Sequence, residues 1–158
     1  MSLHGLSHIV VGVPNVEETA LYYEEFGLTR GQGASLSTTH GGEQLHLVHE
    51  QRRRLVELGV GADDPDDISR VARQLATAGF HAEQPDDETV IATDPATNIR
   101  AIVAVKPRIE MPEVPATPYN GPGRFDRSGR APGVVREDKV RPRRLGHCVS
   151  GTPDFETT

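Results

Sequence analysis

Leu6-Ser-His8-Ile-Val-Val-Gly-Val-Pro-Asn-Val-Glu-Glu-Thr19 begins this chain, and Leu145-Gly-His147-Cys-Val-Ser-Gly-Thr-Pro-Asp-Phe-Glu-Thr-Thr158 repeats it at the other end. At an offset of 139 residues, Leu, His, Val, Gly, Pro, Glu and Thr recur in register, giving 7 identities in 14 positions. Self-similarity of this kind sets the architecture and is read before any single element. The first copy is a short β-branched run bounded by Gly12 and Pro14, which predicts a strand. Alternation puts Leu6, His8 and Val10 on one face of it and Ser7, Ile9 and Val11 on the other. Asn15 then caps a helix, with Glu18 completing a capping box. The second copy predicts the opening strand of a second domain over residues 144–158, with His147 where the first copy has His8.

Between the copies the pattern restarts once more. Val16, Ala20, Tyr23 and Gly27 fall at helical spacing, and Gly27 suits a left-handed cap. Arg30 to Ser37 and Glu43 to Glu50 are candidate strands. Arg54 to Val60 is a further strand, and Asp64-Pro65 starts a second helix with proline at its first position. Ile68, Val71, Ala72 and Leu75 form the buried stripe of that helix, which Gly79 ends. Two more strands, Thr89 to Thr93 and Ile99 to Val105, flank the turn Asp94-Pro-Ala-Thr-Asn98. The body, residues 1–106, is thus an α+β unit of strand–helix–strands repeated twice, each helix covering one face of a small sheet.

Residues 107–143 differ in kind. They hold 7 of the chain's 12 prolines and four glycines, with no periodicity. Such a segment cannot form its own core and is either a mobile tether or an extended strap on a domain surface. Pro118-Tyr-Asn-Gly-Pro-Gly and Arg130-Ala-Pro-Gly-Val-Val-Arg are specific enough in character for a strap. This segment also explains why only 35% of the residues are hydrophobic and 4% aromatic.

Charge excludes one class of partner. Residues 1–106 carry 8 Lys/Arg against 16 Asp/Glu, an acidic body that would be repelled by a phosphate backbone. Arg52-Arg53-Arg54 is its one cationic run and reads as a solvated strand entry. No run is long enough for a membrane span, and the N-terminus has no basic-then-apolar leader. The single cysteine, Cys148, rules out an internal disulfide and fits a reducing cytoplasm.

The stretches His8-Ile-Val-Val with Pro14-Asn15, Tyr22-Tyr-Glu-Glu-Phe-Gly-Leu28 and Asp94-Pro-Ala-Thr-Asn98, in that order, resemble the vicinal oxygen chelate superfamily. That superfamily contains glyoxalase I, bleomycin-resistance proteins and type I extradiol dioxygenases. The resemblance covers residues 5–105 and resumes at 143–158. It implies paired βαβββ modules forming an open, curled mixed sheet, followed here by the Pro/Gly-rich linker. It also implies metal ligands on facing strands: a histidine on each first strand and an acid or histidine on each last strand. His8 matches the first of these positions and His46 the second. In the second module the corresponding positions fall near Leu55 and Ala101, which have no donor atom for a divalent cation. His8, His46 and Glu57 have the donor types of a two-histidine, one-carboxylate site, but spacing alone does not bring them together. The expectation is a packed or sheet-lining His8 and no metal in residues 1–106. His40, His49 and His81 carry weaker signals still, and Tyr22 and Tyr23 read as packing residues.

The Pro-rich crossing that ends in Arg-Pro-Arg-Arg-Leu-Gly-His147 is similar to the junction of two-domain extradiol dioxygenases of the 2,3-dihydroxybiphenyl 1,2-dioxygenase type. In that group the N-terminal domain has lost its metal and the C-terminal domain keeps it. The resemblance makes His147 the first ligand of Fe(II), with Mn(II) as the alternative, and implies a small aromatic diol and O2 as substrates. It also implies a homo-oligomer. Catalytic residues other than this ligand have no counterpart among the 158 residues, and Cys148 alternates away from His147. The rival reading is a non-catalytic, dimeric ligand-binding module of the bleomycin-resistance type. A glyoxalase, epimerase or thiol transferase is disfavoured by Leu55 and Ala101.

Overall fold

Pro14 and Asn15 stop one strand and start a helix, and the same device returns at Asp64 and Pro65, so two units of like order follow one another. A computed structural model describes residues 3–113, 140–154 and 156. The first unit runs β1 (Leu3–Val13), α1 (Val16–Phe26), β2 (Thr29–Arg30), β3 (Ser35–Thr38) and β4 (Gly42–His49). The second runs β5 (Arg54–Ala62), α2 (Pro65–Thr77), β6 (Ala82–Asp86), β7 (Thr89–Thr93) and β8 (Arg100–Val105). Together they build one mixed eight-stranded sheet in the order β2-β3-β4-β1-β5-β8-β7-β6. Within each unit the first strand pairs parallel with the last, β1 with β4 and β5 with β8. The units meet where β1 and β5 pair antiparallel. This is the α+β pair of βαβββ modules that the sequence predicts.

The helix boundaries follow from side-chain chemistry. Asn15 accepts the Glu18 backbone N–H at 3.1 Å, and its amide donates back to the Glu18 carboxylate at 2.9 Å. Asp64 accepts the Asp67 N–H at 2.9 Å, with Pro65 at the first helical position. Both helices end in the same paired hydrogen bonds. Gly27 and Leu28 donate to Glu24 and Tyr23, and Gly79 and Phe80 donate to Ala76 and Leu75. Gly27 (φ 109) and Gly79 (φ 84) hold the left-handed conformation that these closures need.

One expected strand is divided in the structure, and one strand, β6, has no counterpart among those the sequence predicts. Arg30 to Ser37 is not one strand; a turn through Gly33 (φ 64) separates β2 from β3. Strand β6 contains Pro85 and is exposed along most of its length, which an edge strand tolerates because one side of its backbone has no ladder to complete. Each module buries its own core. Val11, Val13, Ala20, Leu36, Leu45 and Leu47 close the first, while Ala62, Ile68, Val71, Val90 and Val103 close the second. Tyr23 packs against the first core, but Tyr22 is exposed and touches Tyr23 edge-on at 5.3 Å.

Residues 140–146 lie along the first module. The Pro142 and Arg143 carbonyls accept the Thr39 and His40 N–H groups, each at 2.9 Å, and Leu145 N–H donates to Gln44 Oε1 at 2.8 Å. Gln44 is itself buried, and its amide donates to the Leu6 carbonyl at 2.9 Å, so one side chain ties β1, β4 and this segment together. Arg143 also reaches back to the Pro112 carbonyl at 2.5 Å. The two strap-like linker pieces, at 118–123 and 130–136, lie outside the described residues. Residues 145–154 join no sheet among the described residues. A strand gains its ladder bonds only beside another strand, and residues 148–151 lie instead in a groove with Ile9, Val11, Leu55 and Ile99.

Candidate functional site

The two modules meet at a pair of equivalent positions. His8 stands seven residues before its helix cap Asn15, and Glu57 stands seven before Asp64. The counterpart of His8 is therefore Glu57, not Leu55. The last strands shift likewise. His46 is in register with Val10, whose counterpart Gly59 is in register with Ile102, so Ile102 takes the place that sequence spacing gives to Ala101. Ile102 supplies no metal donor either.

The structure brings His8, His46 and Glu57 together. Leu45 and Leu47 pack with the first core, so strand alternation turns His46 to the opposite face of the sheet. There its ring meets that of His8 edge-on, with centroids 5.7 Å apart. The His8 Nε2 lies 2.9 Å from Glu57 Oε1, and its Nδ1 lies 3.1 Å from Ser7 Oγ. With Nε2–H donating to the carboxylate, Nδ1 accepts from the serine hydroxyl. The second oxygen of Glu57 accepts from Arg100 Nη1 at 2.6 Å. Both carboxylate oxygens are thus engaged, in a setting where the Glu57 side chain is only 15% exposed. Gly59 makes the arrangement possible: a Cβ there would fall 2.2 Å from His8 Nδ1.

Beside this network opens a cleft of about 1030 Å³. His4, His8, His40 and His46 line it, as do residues 106–110 and 144–146. The His4 Nε2 lies 3.0 Å from the Lys106 carbonyl, and Arg108 grips Asp63 through two hydrogen bonds. That carboxylate raises the Arg108 guanidinium above its ordinary value. A cleft of this composition can hold a small polar ligand, with imidazole and cationic groups for an anionic or phenolic oxygen.

The metal that the resemblance implies does not fit the first pair of modules. A divalent cation on Glu57 would compete with a guanidinium already seated on the same carboxylate. Among the described residues no group of three or more His, Cys, Asp or Glu could hold a metal ion. His147 is exposed and does not line the cleft, although its neighbours Leu145 and Gly146 do. Cys148 is half-buried in a separate groove with Ile9, Val11 and Leu55. Of the remaining histidines, His40 sits in the turn before β4 and touches the cleft, while His49 and His81 are exposed. No described helix is long and apolar enough to cross a membrane.

Sequence reasoning misses Arg100, Ser7 and Gly59. Only Gly59 carries a signal, since a glycine inside a strand marks a close approach to the backbone.

No family model and no curated protein matches the chain. Solved structures do match. A catechol 2,3-dioxygenase aligns with TM-score 0.57 at 18% identity, covering 69% of this chain and 43% of that one. The 2,2',3-trihydroxybiphenyl 1,2-dioxygenase of Sphingomonas wittichii strain RW1 aligns with TM-score 0.54 at 15% identity, over 69% and 43%. A Mn(II)-bound glyoxalase from Novosphingobium aromaticivorans aligns with TM-score 0.52 at 15% identity, over 72% and 43%. The chain spans less than half the length of each of these proteins. What the chain shares with these two dioxygenases and this glyoxalase is the fold.

Proposed function

We propose that this chain is the N-terminal part of an extradiol ring-cleavage dioxygenase, an oxidoreductase that opens a catechol-type diol with O2. The observation that carries the reading is the second copy of the β1 motif, with His147 in the place of His8, behind a first pair of modules whose own donors are tied up. Extradiol dioxygenases among the structural neighbours, each more than twice as long as the matched region, support the same reading. In the reaction, one carbon–carbon bond beside the two hydroxyls breaks and both atoms of O2 enter the product. The metal, Fe(II) or Mn(II), supplies the diol chelation and the O2 chemistry when bound. Of this chain's residues, His147 is assigned as a ligand, and the first pair of modules serves as a scaffold. The other ligands are assigned to residues beyond these 158. The protein is assigned to the cytoplasm as a homo-oligomer.

The large cleft favours a second reading, a dimeric module that binds a small ligand without turning it over. One experiment separates the two. The product of the complete reading frame is purified anaerobically with Fe(II), and O2 uptake is followed with catechol and 2,3-dihydroxybiphenyl. Equimolar O2 and diol consumption, with a yellow ring-opened product, is the expected result. A stable dimer that binds such diols without consuming O2 would replace the dioxygenase reading with the binding module.

A further inference from the structure

Gln44 is 1% exposed, and a buried amide is stable only when its polar atoms are paired. Its partners come from both copies of the repeated motif. Nε2 donates to the Leu6 carbonyl at 2.9 Å, and Oε1 accepts the Leu145 N–H at 2.8 Å. Leu6 and Leu145 are the same position of the repeat, two residues before His8 and His147. These partners fix the orientation of the amide, because a backbone carbonyl only accepts and a backbone N–H only donates. The Thr38 hydroxyl donates to the same Oε1 at 3.0 Å, so both lone pairs of that oxygen are used. Gly41 leaves the room for it: a Cβ there would collide with Oε1. The two copies also agree face by face. Leu6, His8, Val10 and Gly12 are identical to Leu145, His147, Val149 and Gly151. Ser7, Ile9, Val11 and Val13, which alternate with them, are all replaced, by Gly146, Cys148, Ser150 and Thr152. The face that carries the histidine is the one retained.

We propose, on the reading of His147 as a metal ligand, that Gln44 is a positioning residue for it, a pin through which the first module sets where the second copy of the motif begins. Two residues of extended chain span at most about 7 Å, so holding the Leu145 N–H confines the His147 backbone to that radius. The preceding residues set the direction of approach, since the Pro142 and Arg143 carbonyls accept the Thr39 and His40 N–H groups at 2.9 Å. Breaking the Leu145 bond alone would leave Oε1 with one partner in a buried setting, so the amide itself opposes release. A ligand histidine needs such restraint, because affinity depends on donors that are held in place before the ion arrives.

Two readouts test this. In the chain itself, amide exchange followed by NMR compares wild type with Gln44→Met, which removes both polar atoms, and Gly41→Ala, which displaces Oε1. The Leu145 amide is expected to exchange at least about tenfold more slowly in wild type than in either variant. In the complete gene product, purified anaerobically, both variants are expected to weaken Fe(II) binding roughly tenfold at a temperature where they stay folded. A loss of stability alone would lower Tm without that effect. A Leu145 amide that exchanges in wild type at the rate of a free peptide overturns the proposal by itself. So does unchanged iron affinity in a folded variant whose Leu145 amide is released. If Gln44→Met does not fold, Gly41→Ala carries the same comparison. A wild-type complete product that takes up no iron would refute the metal-ligand reading of His147 instead, and the Leu145 exchange rates then decide whether Gln44 is a pin.

Discussion

Gly59 shows how a single missing side chain positions the centre of this molecule. The His8 ring lies where a Cβ on Gly59 would be, 2.2 Å from Nδ1, so alanine at this position must push the imidazole off Glu57. We expect Gly59→Ala to lower stability by about 1–3 kcal/mol, the usual range for overpacking, measured by urea unfolding. Because the clash is with His8 itself, the double variant with His8→Ala should cost less than the sum of the singles, a coupling expected only for residues in contact. At this scale the sequence is partly legible. His8 and His46 stand out by type, and alternation places them on their faces. Their convergence with Glu57 and Arg100 is a matter of register between strands, with partners 43 to 49 residues apart in sequence. Hydrophobic pattern does not fix that register to the single residue, whereas counting back seven residues from the caps Asn15 and Asp64 matches Glu57, and not Leu55, to His8.

The elements carry their own instructions at their ends. Asn15, Asp64 and Pro65 announce the helix starts, and Gly27 and Gly79 announce the stops; each takes the geometry its chemistry predicts. Asn15→Ala should therefore cost about 1 kcal/mol, as N-cap losses do, with faster amide exchange in the first turn of α1. On the same helix, Glu17 hydrogen-bonds Arg30 of β2 at 2.7 Å, and that bond lowers the Glu17 pKa below the ordinary 4.5. The unfolded chain then holds this proton more tightly than the folded one. The pair's contribution is complete above the unfolded carboxyl's pKa and is lost as pH falls through the lowered, folded value. A carboxyl-detected NMR titration should place the Glu17 midpoint below the ordinary glutamate value, and Arg30→Gln should raise it again. Short edge strands are the least legible elements, because β2 and β6 gain little from burial and leave almost no apolar pattern.

The whole molecule is two modules with separate cores, joined by the β1–β5 ladder, and a tail that repeats the beginning of the chain. The paired architecture is readable because the strand–helix order recurs with its caps. The path of residues 140–146 is not, because it depends on hydrogen bonds between residues far apart in sequence, such as that of Leu145 to the buried Gln44, 101 residues away. On the dioxygenase reading, His8 and His147 are copies of one position with opposite roles, the first tied to a carboxylate and the second a metal ligand. Iron analysis of the complete gene product, purified anaerobically as wild type, His8→Ala and His147→Ala, tests that contrast most directly. About one iron per chain is expected in the wild type and in His8→Ala, and at least about tenfold weaker iron binding in His147→Ala. Iron retained by His147→Ala, or lost from a folded His8→Ala, would contradict the contrast between the two histidines.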